Sequence, residues 1–279
     1  MSDILDKNLS NVKSETDLFG NEIKKLSMKD RIGFSPLSIW QPDWTKVKEL
    51  KEIVGDKAET RGESSYGFQD MQSIFNPHLA QMILSAYCPA SANIFDPFGG
   101  GGTRGFIANA MGHMYTGIEL RQEEVDRIVA KQDELNRHFD IICGDSRKPH
   151  VKEESFNFCY TCPPYYNLEV YSDQEADLSN LPQYGSFLRE LRESVKQSFM
   201  ALKPGSLSVW VVGNFRDKDG YLIHFNSDLI WIAKECGYKL HDEIIFWGAS
   251  GNASQRCGQF EANRKSVRVH EYLVILKKP

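Results

Sequence analysis

The stretch Asn93-Ile94-Phe95-Asp96-Pro97-Phe98-Gly99-Gly100-Gly101-Gly102-Thr103 decides how the chain folds. Asn93 to Phe95 is a short apolar run that predicts a buried strand, and Thr103 to Met111 predicts a helix stopped at Gly112. Four glycines join the two. Glycines at a strand-to-helix junction let the backbone approach a ligand closely and leave the first helical N–H groups free to bind its polar part.

Working outward, the same alternation continues in both directions. Leu79, Met82, Ile83 and Ala86 follow helical spacing ahead of the loop, and Met114 to Ile118 predicts a strand behind it. Val125, Ile128, Val129 and Leu135 mark a helix, followed by strands at Phe139 to Cys143 and Phe156 to Tyr160. Phe187, Leu188, Leu191, Val195 and Phe199 predict a further helix, then a strand at Ser206 to Val212 and a helix centred on Leu229 to Ala233 that ends at Gly237. Ile244 to Trp247 and Tyr272 to Leu276 are the last strands. Alternating strands and helices imply an α/β fold with a mainly parallel sheet, helices on both faces, and ligand sites beyond the C-terminal ends of the strands.

A chain of 279 residues with 41% hydrophobic content can bury one substantial core, so one large domain is expected over residues 71–279. Residues 1–70 form a polar extension whose strongly apolar part is Phe34 to Trp40, with a short helix around Thr45 to Val54. No apolar run is long enough to span a bilayer and none near Met1 resembles a signal peptide, which points to the cytoplasm. Six scattered cysteines fit reduced thiols better than a disulfide scaffold. The net charge of −5 does not advertise nucleic acid, so an encounter with one would rely on a local basic face.

Acidic residues stand at or just after three successive strand ends, Asp96, Glu119 and Asp145. Glu119 falls 23 positions after Asp96, where an acidic side chain can accept both hydroxyls of a ribose, as in dinucleotide sites. The bland alternative is a tight turn at Gly100 and Gly102 and a helix-capping Glu119. Three acids beside one glycine loop favour a nucleotide-like cofactor. A second segment, Thr161-Cys162-Pro163-Pro164-Tyr165-Tyr166, also follows an apolar strand, and its two prolines stiffen the corner.

Together these segments resemble the amino-directed DNA methyltransferases, whose cofactor loop looks like Asp-Pro-Phe-x-Gly-x-Gly-Thr and whose catalytic corner is Asp, Asn or Ser followed by Pro-Pro-Tyr. The likeness runs roughly from Phe75 to the C-terminus and includes Phe75-Asn76-Pro77-His78, Lys203-Pro204-Gly205 and His270-Glu271-Tyr272-Leu273-Val274-Ile275. A closer likeness is to phage and prophage methylase-like proteins with Cys-Pro-Pro-Tyr followed by Leu-Glu-Val-Tyr-Ser-Asp, here Leu168 to Asp173. That group also has segments similar to Val211 to Lys218 and to Gln259, Phe260, Arg264 and Lys265. The resemblance implies a Rossmann-like class I fold and S-adenosylmethionine as cofactor. It implies cofactor contacts from Phe75, Asp96, Pro97, Phe98, Gly100, Gly102, Thr103, Glu119 and Asp145, with Asp96 on the ammonium and Asp145 on the adenine amino group.

The corner implies methyl transfer to an exocyclic amino group of a base, cytosine N4 favoured over adenine N6. Such a nitrogen is a poor nucleophile because its lone pair is delocalised into the ring. In the family, two acceptors orient its hydrogens, here Cys162 and the carbonyl of Pro163, while Pro164 stiffens the turn and Tyr165 stacks on the flipped base. Cys162 departs from the family pattern, since a neutral thiol is a weak acceptor; its size favours a Ser-like role. A rival reading makes Cys162 a covalent nucleophile, although carbon-5 methyltransferases place cysteine after proline rather than before a proline pair. Cys159 and Cys162 form a single Cys-x-x-Cys without a second pair nearby, so no metal is expected.

DNA is the expected partner, met by loops near 165–180 and 248–268 and by Tyr166, Arg216, Lys218, Arg256, Arg264, Lys265 and Arg268. These cations could equally be ordinary solvated loop residues. Tyr171, Ser172 and Asp173 would border the target base, and His78 and His270 are expected to be structural. The alternatives are an RNA base methyltransferase and a catalytically silent protein that binds cofactor or DNA.

Overall fold

The computed structural model describes residues 33–55, 75–166, 171–248 and 257–279. The chain divides into two compact units, Met1–Pro36 and Leu37–Pro279, and all elements below belong to the second. Arg256, Leu168 to Val170 and most of the N-terminal extension lie outside the described residues.

In chain order the elements are β1 (Ile39–Trp40), α1 (Trp44–Ile53), α2 (Pro77–Tyr87), β2 (Asn93–Asp96), α3 (Thr103–Ala110), β3 (Met114–Glu119), α4 (Gln122–Leu135), β4 (Asp140–Cys143) and β5 (Phe156–Thr161). A 3₁₀ turn at Leu178–Asn180 precedes α5 (Tyr184–Ala201), β6 (Leu202–Val212), β7 (Phe215–Arg216), β8 (Leu222–Ile223), α6 (Phe225–Glu235), β9 (Lys239–Trp247), α7 (Gly258–Asn263) and β10 (His270–Lys277). Local chemistry sets several of these ends. Asn76 caps α2 by accepting from the N–H groups of His78 and Leu79 at 2.9 and 3.1 Å, and Pro77 occupies the first helical turn, where its missing N–H costs nothing.

Eight strands form one sheet in the order β1-β9-β10-β6-β5-β2-β3-β4, and β7 pairs with β8 in a separate hairpin. The pairs β5–β6, β2–β5, β2–β3 and β3–β4 are parallel, whereas β10 runs antiparallel to both β6 and β9. The fold is therefore α/β with a mostly parallel sheet flanked by helices. From β2 the chain moves to β3 and β4 on one side and then returns to β5 on the other. The strand order thus reverses between β2 and β5, and the crevice beyond their C-terminal ends is where an open α/β sheet binds ligands. The strands around this point are nearly solvent-free: Ile94, Phe158, Cys159, Val209, Trp210 and Val274 are all fully buried.

The stretch expected to be a polar extension also enters this unit. Ile39 and Trp40 pair parallel with Ile245 and Phe246 of β9, and the buried Trp40 ring stacks on Tyr87 of α2 at 6.0 Å. Val47 and Leu50 of α1 are buried as well. Trp40→Ala should therefore destabilise the domain by about 3–5 kcal/mol, the usual cost of deleting a buried large aromatic ring. Urea denaturation measures this, and an unchanged midpoint would show that the segment contributes nothing to the core.

Candidate cofactor and catalytic site

The glycine loop is held from below by one carboxylate. Asp96, fully buried at the end of β2, accepts from the Phe98 N–H at 3.0 Å and the Thr161 hydroxyl at 2.6 Å on Oδ1. Its Oδ2 accepts from Arg104 Nε and the Tyr115 hydroxyl, both at 2.6 Å. Four donors fill the lone-pair sites of a carboxylate. Asp96 is not among the residues that line the cavity, and through these four contacts it fixes the loop. Pro97, Phe98, Gly100 and Thr103 do line the cavity, together with Phe75. Gly102 caps α3 with φ +79°, and a Cβ there would crowd Ile128 and Phe106 at 3.2–3.3 Å, so this position demands glycine.

Arg104 is a cavity-lining residue that sequence reasoning missed. Its buried guanidinium also donates to the Phe98 carbonyl and lies 5.0 Å from the Phe75 ring centroid. An arginine directly after the Gly-Thr of the loop, inside an otherwise apolar helix, was the available signal.

The other two acids differ in what they can still accept. Glu119, at the end of β3, takes the Arg121 N–H at 3.0 Å on Oε1, with Arg121 Nε at 3.3 Å from the same oxygen. Burial raises its pKa and prevails over the lowering effect of Arg121, and nearby Glu124 adds to the rise. Asp145 receives four contacts from Arg147 alone, at 2.8–3.1 Å on both oxygens. Burial raises its pKa, but these hydrogen bonds outweigh it and the net shift is downward. These contacts come from three N–H groups, the Nε–H being shared between the two oxygens, which leaves the carboxylate one lone-pair site for a further donor. Glu124, buried at the start of α4 and paired with Arg121 and Arg127, lines the cavity beside Gly101 and also went unseen in the sequence. A further part of the wall is built by Tyr171, Ala176, Asp177 and Leu178, joined to Asp145 through Arg147, which also donates to the Ala176 carbonyl at 3.3 Å. Asp177 stiffens that wall by accepting from Ser172 Oγ, Ser179 N and Ser179 Oγ at 2.6–3.0 Å.

Cys162, Pro163, Pro164 and Tyr165 line the same cavity. Burial pushes the Cys162 thiol up to about 12, overcoming the opposing pull of Arg104, so the group is a neutral thiol near pH 7. A thiolate nucleophile is correspondingly scarce. Tyr166, the next residue, is half-buried. Its ring packs on Tyr184 and Phe187 at 5.6 and 5.7 Å, and its hydroxyl donates to the Pro182 carbonyl at 3.1 Å. Its φ of +40° is unusual for a tyrosine and turns the chain sharply after the corner.

The expected basic residues come from two distant segments that the fold brings together. Arg216, at the end of β7, donates to the Gly220 carbonyl at 3.2 Å and the Ser266 carbonyl at 3.5 Å, tying the β7–β8 hairpin to the segment before β10. Lys265 Nζ lies 5.8 Å from the Tyr221 ring and Arg264 lies over Phe260 at 5.7 Å. Lys218 is exposed and Arg268 half-buried in the same neighbourhood. His78 accepts the Asp43 N–H at 2.9 Å, the structural part expected for it. Among the described residues no group of three or more His, Cys, Asp or Glu could hold a metal, and no helix is long and apolar enough to cross a membrane.

A family model described as DNA methylase, for N6 and N4 enzymes, matches residues 6–131. The type II beta methyltransferase M.BslI of Bacillus sp. (strain NEB-606) is 25% identical over 153 residues, covering 50% of this chain and 16% of that protein's length. Among solved structures, an S-adenosylmethionine-dependent methyltransferase from Methanosarcina mazei aligns over 70% of this chain and 96% of its own, with a TM-score of 0.50 and 16% identity. The [4+2]-cyclase SpnF aligns over 84% of this chain and 92% of its own, with a TM-score of 0.53 and 15% identity. At such identities these two establish the fold alone, and the cyclase shows that this fold does not dictate one chemistry. The fold is that of the S-adenosylmethionine-dependent methyltransferases, and the two sequence matches support the amino-methyltransferase family.

The geometry separates Asp96 from Glu119 experimentally. Asp96→Ala orphans the buried Arg104 and should cost about 3–5 kcal/mol of stability, whereas Glu119→Ala should fold normally and weaken S-adenosylmethionine about ten-fold. Because the Glu119 pKa is raised, the parent's cofactor affinity should begin to fall on acidification at a higher pH than for an ordinary glutamate, and Glu119→Gln should flatten that fall. Calorimetry across pH checks this; matching profiles in parent and variant would remove Glu119 from the site.

Proposed function

We propose that the chain is an S-adenosylmethionine-dependent methyltransferase that acts on the exocyclic amino group of a flipped base in DNA, cytosine N4 ahead of adenine N6. The observation that carries this reading is that the glycine loop, Glu119 and the Cys162-Pro163-Pro164-Tyr165 corner line one cavity at the strand-order reversal. Cofactor would be held by Phe75, Gly100, Thr103 and Glu119, with Asp145 next to Glu119 on the wall. S-adenosylmethionine supplies an electrophilic methyl group when bound there. The Pro163 carbonyl and Cys162 accept the two hydrogens of the amino group, which turns the nitrogen lone pair out of the ring. The proline pair keeps both acceptors in place, so little motion is lost as the bond forms. The Tyr165 ring supplies an apolar face for the extruded base.

Two features favour an amino nitrogen over ring carbon 5. Cys162 is a neutral thiol, and it precedes the proline pair. Its size is close to that of serine, the variant associated with cytosine N4. For DNA as the partner, the support is the methylase family match, together with a basic cluster on an otherwise acidic chain.

Labelled cofactor offered with duplex DNA, single-stranded DNA and RNA tests the substrate class, and mass spectrometry of the digested product identifies the base. N4-methylcytosine is expected; N6-methyladenine would keep the chemistry and change the base, while 5-methylcytosine as sole product would overturn the proposal. Cys162→Ser should retain activity, Tyr165→Ala should lose turnover, and 5-fluorocytosine DNA should not trap the protein. Arg264→Ala with Lys265→Ala should lower DNA affinity and flatten its salt dependence by about one to two phosphate contacts, leaving cofactor binding intact. An unchanged salt slope would take this segment off the DNA backbone.

A further inference from the structure

The catalytic corner, at the end of β5, is connected to a carboxylate on β10, two strands along the sheet. The Tyr165 hydroxyl donates to Glu271 Oε1 at 3.2 Å and lies 4.0 Å from Cys162 Sγ. Glu271 stands near the start of β10, opposite Phe246 of β9, and 106 positions from Tyr165 in sequence. Because β10 is antiparallel to β6, its first residues emerge at the edge where β6 ends, beside the corner. The ring of Tyr165 is bounded there by Gly213, where an added Cβ would lie 3.4 Å from the ring, and by Phe225 packed edge-on at 6.1 Å. Burial raises the Tyr165 hydroxyl well above its ordinary value, so it remains a proton donor to the carboxylate.

We propose that Glu271 is the positioning residue of the catalytic corner: by holding the Tyr165 hydroxyl it fixes the orientation in which the ring meets a target base. This rests on the methyltransferase reading. Unaided, Cys162 is a weak acceptor and could not hold the hydroxyl. A tyrosine anchored at its para position presents one face, whereas an unanchored ring would rotate about χ1 and stack on the base only part of the time.

The test uses Glu271→Ala, Glu271→Gln and Tyr165→Phe in the full chain, with labelled cofactor and unmethylated genomic DNA. Glu271→Ala and Tyr165→Phe should each lower kcat about ten-fold with KM for the cofactor unchanged, the scale of one charge-assisted hydrogen bond. The double variant Glu271→Ala/Tyr165→Phe should be no worse than either single, because both remove the same contact. Glu271→Gln, which keeps an acceptor oxygen, should recover most of the loss. Additive losses, unchanged kcat in Glu271→Ala, or failure of the glutamine to recover would each overturn the proposal.

A second readout needs no substrate. Alkylation of Cys162 by iodoacetamide at pH 8.5, followed by peptide mass spectrometry, should speed up several-fold in Glu271→Ala. The variant releases the ring beside the thiol and removes a carboxylate that helps the thiol keep its proton. An unchanged alkylation rate overturns the proposed linkage whatever the activity. A parent that transfers no methyl group, with alkylation still faster in the variant, would refute the methyltransferase reading and leave the linkage supported.

Discussion

The site depends on a single buried carboxylate. Asp96 draws a loop N–H, a helix arginine, a hydroxyl from β3 and a hydroxyl from β5 onto two oxygens. These are the strands on either side of β2, so the residue clamps the crevice where strand order reverses. A buried charge is tolerable only when paired and hydrogen-bonded, and here Arg104 balances it while remaining in the cavity wall. The loop above can then expose its glycine backbone without collapsing onto β2. Positions after Asp96 inherit their geometry from this clamp, so the acid of the loop motif has an architectural part in the site.

Much of the fold was legible because buried parallel strands leave unmistakable apolar runs. Asn93 to Phe95, Met114 to Ile118 and Phe156 to Tyr160 all fall within observed strands, and the helices after them follow from 3.6-residue spacing. What escaped notice lacked such periodicity. β1 and the β7–β8 hairpin are two-residue strands, too short for alternation to register, and the short helix Gly258–Asn263 sits in a stretch whose composition suggests a loop. The site divides in the same way. Its motif residues could be picked out because their order along the chain carries the signal. Glu124, the Ala176 to Leu178 part of the wall and the partner of Tyr165 are defined by contacts between remote elements, which no local pattern encodes. The packing of Tyr166 is likewise invisible in sequence, because the positive φ at that residue and the Tyr184 and Phe187 rings it meets come from the folded chain.

Charge is unevenly distributed over this acidic chain. Glu119, Glu124 and Asp145 crowd one end of the cavity, each accompanied by an arginine from its own or the following turn. Arg216, Lys218, Arg264, Lys265 and Arg268 belong to the β7–β8 hairpin and the segment before β10, which Arg216 and Lys265 tie together. Separation of this kind lets a net-negative molecule present a local positive face, with attraction confined to within about one Debye length, roughly 8 Å at physiological salt.

The protonated state of Cys162 carries a consequence for durability. Peroxides and disulfides react with the thiolate, so a thiol whose proton is held by burial is chemically quiet. Cys162 is accordingly a slow target for such oxidants, although it lines the cavity. Under oxidative stress the exposed Cys257 would be modified ahead of the corner, while Cys143, exposed as well, gains some protection from partial desolvation and from the acids around it, which raise its pKa.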